Sequence, residues 1–263
     1  MSNTEKSAVL ITGASSGIGA VYADRFARRG HDLVLVARDQ TRLEALAGRL
    51  RREAGVAVEV VKADLTNAGD LAGVEERVRT DGRIGVLVNN AGASLPGGFL
   101  DQSADQVANL ITLNATAPTR LASAAAHRFA AEGKGAIINI ASVVGFAPEI
   151  GLTVYGATKA FLLFLTQGLH LELGPKGVYV QAVLPSATRT EIWERAGKDV
   201  NELPAVMETD ELVDAALAGF DRRETITIPP LPEAEQWDAY QAARQAMLPN
   251  LMQVHAAARY RKA

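Results

Sequence analysis

The stretch Ala8-Val9-Leu10-Ile11-Thr12-Gly13-Ala14-Ser15-Ser16-Gly17-Ile18-Gly19 decides the fold. Its apolar run is continuous rather than alternating, which reads as a strand over Ala8–Ile11 buried on both faces. The run leads into a turn with three glycines, and an amphipathic helix is expected over Ile18–Arg29. Gly13 permits a tight turn. Gly17 and Gly19, with Ser15, Ser16 and Ile18 around them, let backbone approach a pyrophosphate at the positive end of that helix. The spacing is Gly-x-x-x-Gly-x-Gly, not the common Gly-x-Gly-x-x-Gly fingerprint. A glycine trio alone is weak evidence. Its place between a first strand and a first helix favours a nucleotide site over a bare structural turn.

Outward from this turn, short β-branched runs alternate with amphipathic stretches. Strands are expected at Asp32–Val36, Val56–Val61, Val86–Val88, Ala136–Ile140, Val178–Leu184 and Thr225–Ile228. Helices are expected at Gln40–Glu53, Ala68–Thr80, Ser103–Ala131 and Thr153–Leu173. Repeated β-α units imply an α/β fold: a doubly wound parallel sheet of about seven strands with helices on both faces. Residues 186–208 are polar and aperiodic, and follow a strand at the carboxyl edge, where ligands bind in open α/β sheets. They read as a substrate loop, with an ordinary surface loop as the alternative. Residues 231–263 read as an alanine-rich helical extension broken near Pro249, with Trp237, Tyr240, Met247, Leu248, Leu251 and Met252 to pack.

At 263 residues and 48% apolar content, the chain fits one domain, 1–263, with a sizeable core. A net charge of −3 with scattered Lys and Arg leaves no footprint for nucleic acid. Cysteine is absent, which excludes disulfides, thiolate metal sites and a Cys nucleophile. His31, His127, His170 and His255 are dispersed without metal-ligand spacing, so no metal is expected. The first apolar run is too short for a signal-peptide core. No apolar stretch approaches the roughly 20 residues of a membrane span, since Gln167, His170 and Glu172 interrupt Ala160–Leu173. The expectation is a cytoplasmic protein acting away from membranes.

The second strand ends in Val36-Ala37-Arg38-Asp39. Here an acid would receive the ribose 2′-hydroxyl of NAD, whereas an Arg accommodates the 2′-phosphate of NADP. Ala37 is neutral and Arg38 cationic, which favours NADP. Asp39 is the competing signal for NAD, and its other reading is a cap on the following helix. Tyr155 and Lys159, four residues apart, share a face of the helix over Thr153–Leu173. A phenol has an ordinary pKa of about 10, and a nearby ammonium favours its ionised form, so the pair could pass a proton to or from a carbonyl or alcohol. Such a spacing also arises by chance on many helices.

Taken in order, Thr12-Gly13-x3-Gly17-x-Gly19, Asp64, Asn89-Asn90-Ala91-Gly92, Asn114, Ser142, Tyr155 and Lys159 resemble the short-chain dehydrogenase/reductase family over roughly residues 8–228. The resemblance implies a Rossmann-type fold and a role for each matching residue. Asp64, beside Leu65, would accept a hydrogen bond from the adenine amino group, with a helix cap as its other reading. Asn90, Ala91 and Gly92 would shape the sheet edge beside the adenosine ribose. Ser142 would hydrogen-bond the substrate oxygen, and Asn114 would interrupt its helix and hold a water leading from Lys159 to solvent. Tyr155 would donate the proton while Lys159 lowers its pKa and holds the nicotinamide ribose. Pro185 and Thr190 would flank the nicotinamide, although Ser186 stands where the family usually has Gly.

These residues imply an NADP(H)-dependent reductase interconverting a small, largely apolar carbonyl compound and an alcohol. An NAD-dependent alcohol dehydrogenase and a non-catalytic nucleotide-binding regulator are the alternatives. Phe161, Leu162, Leu163, Phe164 and Leu165 are consecutive, so their helix is apolar on more than one face. A homodimer or homotetramer is expected, with coverage by the chain's own loops as the alternative.

Overall fold

The computed structural model describes residues 6–197 and 199–261. The chain divides into two units, Met1–Pro229 and Pro230–Ala263. The first begins β1 (Ala8–Thr12), α1 (Gly17–Arg28), β2 (Leu33–Ala37), α2 (Gln40–Ala54), β3 (Val58–Lys62), α3 (Ala68–Thr80) and β4 (Ile84–Asn89). Next come α4 (Ala104–Ile111), α5 (Ala117–Glu132), β5 (Ala136–Ile140), α6 (Thr153–Leu173) and β6 (Tyr179–Val183). It closes with α7 (Ile192–Arg195), α8 (Thr209–Asp221) and β7 (Ile226–Thr227).

The strands form one sheet in the order β3-β2-β1-β4-β5-β6-β7, with every pairing parallel. Alternate side chains feed two apolar layers, which is why the strands read as unbroken apolar runs. Val9, Ile11, Leu33 and Leu35 meet Phe26, Leu43 and Leu217 of α1, α2 and α8. Leu10, Val34, Val36 and Leu87 meet Leu71, Val74, Leu121 and Phe129 of α3 and α5. The chain turns back on itself beside β1, which separates the β2-β3 half from the β4–β7 half. A cleft opens beyond the carboxyl ends of the strands at this switch point.

The expected helix over Ser103–Ala131 is two helices joined by a π-helical turn, Thr112–Thr116. Pro118 supplies the reason. It has no N–H to give the carbonyl four residues earlier, which belongs to Asn114, and its ring crowds that carbonyl. Asp39 caps α2, accepting from Arg42 N. The cap of α3 is Asn67, not Asp64, because Asn67 accepts from Gly69 N and Asp70 N. Helix α8 has no counterpart among the expected elements.

The second unit holds α9 (Ala234–Ala246), which ends just before Pro249, where the break is expected; beyond it come short 3₁₀ turns at Leu248–Asn250 and Ala258–Tyr260 in place of further α-helix. Trp237 and Tyr240 stack on α9 with centroids 5.2 Å apart. Leu251 and Met252 are exposed. Among the described residues, no helix is long and apolar enough to cross a membrane.

Candidate active site

Strand β1 delivers Thr12 to the sheet edge, and its hydroxyl accepts from the backbone N–H of Asn90 and of Ala91, both at 3.0 Å. Asn90 Nδ2 donates back to Thr12 O at 2.8 Å and Gly13 O at 3.2 Å. The ends of β1 and β4 are thereby sewn together. Gly13 and Gly17 take φ of 66° and 51°, as the tight turn requires. The room left by Gly19 is filled by the turn itself, since a Cβ there would lie 2.4 Å from Gly13 O. Helix α1 starts after Ser16, whose side chain makes no capping hydrogen bond, so its first amides remain available to an anion.

At the far end of the cleft stand Arg38 and Asp64. Arg38 is exposed and has no hydrogen-bonding partner among the described residues. Asp64 Oδ1 accepts from Thr66 N and Oγ1 at 2.9 and 2.7 Å. Partial burial opposes its ionisation, but the Thr66 hydrogen bonds and the charge of Arg38 hold its carboxyl below the usual range. Asp39 is engaged by Arg42, through backbone at 2.9 Å and guanidinium at 3.4 Å.

Asn114 is buried on the π turn, with Oδ1 accepting from Ala93 N at 3.0 Å. Its Nδ2 donates to Ala93 O at 2.9 Å and to Thr158 Oγ1 at 3.1 Å. Thr158 Oγ1 in turn donates to Tyr155 O at 2.7 Å, so the interrupted helix is tied to the start of α6. Ser142 follows β5, donates to Pro185 O at 3.1 Å and caps the short turn Val143–Gly145. It thus fills a capping role, and it also lies near enough to Tyr155 to favour the ionised phenol. Lys159 Nζ donates to Ile140 O at 2.7 Å and lies 5.5 Å from the centre of the Tyr155 ring.

Burial pushes the Tyr155 phenol up to about 12 against the pull of Ser142. Burial draws the Lys159 ammonium down to about 8. Burial of the phenolate, not the neighbouring Lys159, sets the direction of the shift, and it outweighs the effect of Ser142. At neutral pH the pair is therefore a neutral phenol beside an ammonium.

A cleft of about 970 Å³ joins these groups. Every residue expected at the site lines it except Gly19, which is packed inside the turn, and Asn114, which acts through Ala93 and Thr158. Pro185, Ser186 and Thr190 form one side. Leu152 and Arg223 are the only non-glycine residues with positive φ among those described, so Ser186 turns the chain without entering the left-handed region. The substrate end is apolar, with Val144, Ile150, Leu152, Ile192, Trp193 and Leu203. Thr12 belongs to the glycine motif but is given no role by the sequence, and Thr158, beside Lys159, is not singled out by it. No group of three His, Cys, Asp or Glu among the described residues is placed to hold a metal ion.

Residues 7–201 match the family model described as short chain dehydrogenase. The chain is 68% identical to a short-chain dehydrogenase from Sphingobium yanoikuyae solved in complex with NADPH, with a TM-score of 0.96 over 97% of this chain and 100% of that one. It is 60% identical to a bulky-bulky ketone specific alcohol dehydrogenase from Comamonas testosteroni, with a TM-score of 0.92 over 98% and 99% of the two chains. A very-long-chain 3-oxoacyl-CoA reductase from Anas platyrhynchos is 36% identical over 193 residues, 70% of this chain and only 60% of that protein's length.

Proposed function

This chain belongs to the short-chain dehydrogenase family, and from that premise we propose that it is an NADP(H)-dependent oxidoreductase interconverting a ketone and a secondary alcohol. The observation that carries the reading is the meeting of Ser142, Tyr155 and Lys159 in the same cleft as the uncapped start of α1. The residues fit the cofactor. The free amides of α1 suit a pyrophosphate, Arg38 suits a 2′-phosphate, and Asp39, engaged by Arg42, is poorly placed to serve a 2′-hydroxyl. NADPH bound here would supply the hydride.

The chain's own groups manage the proton. Tyr155, neutral at pH 7, donates its phenolic proton to the carbonyl oxygen as negative charge grows there. Ser142 rotates its hydroxyl from Pro185 O towards the same oxygen and stabilises that charge. Lys159 keeps a cation beneath the forming phenolate. Asn114 and Thr158 hold the first turn of α6 in register, so that Tyr155 needs no search for its position. In the reverse reaction Tyr155 acts as the base.

The apolar substrate end and the Comamonas relative support a ketone bulky on both sides of its carbonyl. Phe164 is 76% and Leu171 75% exposed on the outer face of α6, which favours coverage by a second subunit over coverage by the chain's own loops, and a homodimer or homotetramer. The cytoplasm is the proposed place of action. Tyr155→Phe tests the mechanism. Turnover should fall about 10²–10⁴-fold, the usual worth of a positioned general acid, with NADPH binding retained. Near-normal turnover in that variant would refute it.

A further inference from the structure

A second cavity of about 860 Å³ lies behind the loop after β6. Four residues face both it and the substrate-cofactor cleft: Gly17, Thr190, Glu191 and Trp193. The partition is therefore thin. At its cofactor end Thr190 packs directly on the glycine turn, since a Cβ on Gly17 would lie 3.1 Å from Thr190 Cγ2. Glu191 sends its carboxylate to Arg42 at 2.7 Å. The indole of Trp193 is the large apolar group left at the substrate end. Its Nε1 donates to Thr188 O at 2.8 Å. Thr188 is itself held by a strand-like clip, in which Arg189 N donates to Met207 O at 3.0 Å and Met207 N to Ala187 O at 2.9 Å.

Apolar surface lies on both sides of that indole. Ile192 and Leu203 face the cleft, whereas Ala20, Val21 and Val200 face only the second cavity. We propose that Trp193 is the specificity-determining partition of this site: it separates the substrate end from a second, open pocket whose surface is mostly apolar, with Arg189, Glu194 and Asp199 also lining it, and so sets the largest ring system a ketone substrate can carry. The proposal rests on the carbonyl-reductase reading and deepens it. Removing the indole joins the two spaces without touching Ser142, Tyr155, Lys159 or Arg38.

The test is a series of aryl ketones of increasing size, from acetophenone through benzophenone to 4-phenylbenzophenone. Two quantities are measured: kcat/KM with NADPH, and ketone binding to the NADPH complex by nicotinamide fluorescence. In Trp193→Ala the preference for the largest ketone over acetophenone should rise about tenfold or more, since even one methylene changes discrimination by that order. Trp193→Phe keeps a narrower aromatic wall and loses the hydrogen bond, so its size order should stay close to that of the parent and far from that of Trp193→Ala. Adding Ala20→Leu to Trp193→Ala refills the second cavity and should reverse the gain, while Ala20→Leu alone leaves the size order unchanged. An unaltered order in Trp193→Ala, or the same change in Trp193→Phe, overturns the partition. Absence of turnover in every protein would refute the reductase reading, and the binding series would still decide the role of Trp193.

Discussion

Replacing Lys159 by methionine removes a cation that the fold holds at its own expense. Lys159 is 5% exposed, and its Nζ has one hydrogen bond, to Ile140 O. Burial draws its pKa from 10.5 to about 8. At 1.36 kcal/mol per pH unit, that gap amounts to about 3 kcal/mol. Below about 8 the ammonium is charged in both folded and unfolded chains, and the folded state bears the whole penalty. Between about 8 and 10.5 the unfolded chain keeps the proton and the folded chain releases it, so wild type gains stability as pH rises through this window. Methionine has no proton to lose. The stability of the variant minus that of wild type should therefore fall by about 3 kcal/mol between pH 7 and pH 11. Paired urea unfolding curves at each pH measure this difference, and groups common to both proteins cancel. A difference that does not change with pH would refute the reasoning and place the Lys159 charge in water. A lowered turnover in the same variant would identify what the penalty is retained for.

Arg38→Ala should weaken NADPH binding about 10–100-fold, the worth of a charge-assisted phosphate contact, and leave NADH binding nearly unchanged; equal losses for both cofactors would exclude Arg38 from the 2′-phosphate. Leu152, at φ 61° and ψ 50°, carries a left-handed backbone just before Tyr155. Leu152→Gly should therefore be more stable than Leu152→Ala by about 1 kcal/mol in thermal melts, the reverse of the order in a helix interior. For the free enzyme, kcat/KM for reduction should stay level to about pH 8 and then fall as Lys159 loses its charge, with the phenol at about 12 adding nothing below that. Stopped-flow rates that decline with an apparent pKa near 6 would contradict both assignments.

The sheet was legible because its strands are buried on both faces, so hydrophobicity alone marked them; β5 and α6 fall on their expected bounds. Elements whose pattern depends on a neighbour were harder to read. Helix α8 buries Leu212, Val213, Ala216 and Leu217 along one face, a helical spacing present in the chain but obscured by the aperiodic segment before it. The break at Asn114 was expected from Asn itself, a weak cause, whereas Pro118 one turn later is the strong one. At the site, single residues of distinctive chemistry could be read directly. The contacts that hold them could not: the hydrogen bonds of Thr12, Thr158 and the Ile140 carbonyl become visible only when three distant segments meet. Burial is the other quantity hidden from the sequence, since spacing places Lys159 beside Tyr155 but says nothing of how dry the pair is.

The polar groups inside this core explain how α6 keeps its place. Asn89 Nδ2 donates to Asn139 Oδ1 at 3.0 Å, and Asn139 Nδ2 donates to Thr166 Oγ1 at 2.9 Å. Leu162 O accepts from the Thr166 hydroxyl at 2.8 Å. Lys159 and Thr166 are seven residues apart, hence on one face of α6 about two turns from each other, and each is bonded to β5. Sliding the helix by one residue moves both along the strand by about 1.5 Å and swings both off the sheet by about 100°, which would leave two buried groups unpaired at once. An apolar seam between the same elements could pack equally well in neighbouring registers. Gly145 tightens the arrangement further, because a Cβ there would stand 2.9 Å from Ala160 N. The turn after Ser142 thus rests against the backbone of α6 beside Lys159. Ser142, Tyr155 and Lys159 are consequently fixed by main-chain contacts and paired amides, and the apolar loop around Trp193 can vary its fit to substrate without disturbing the proton donor.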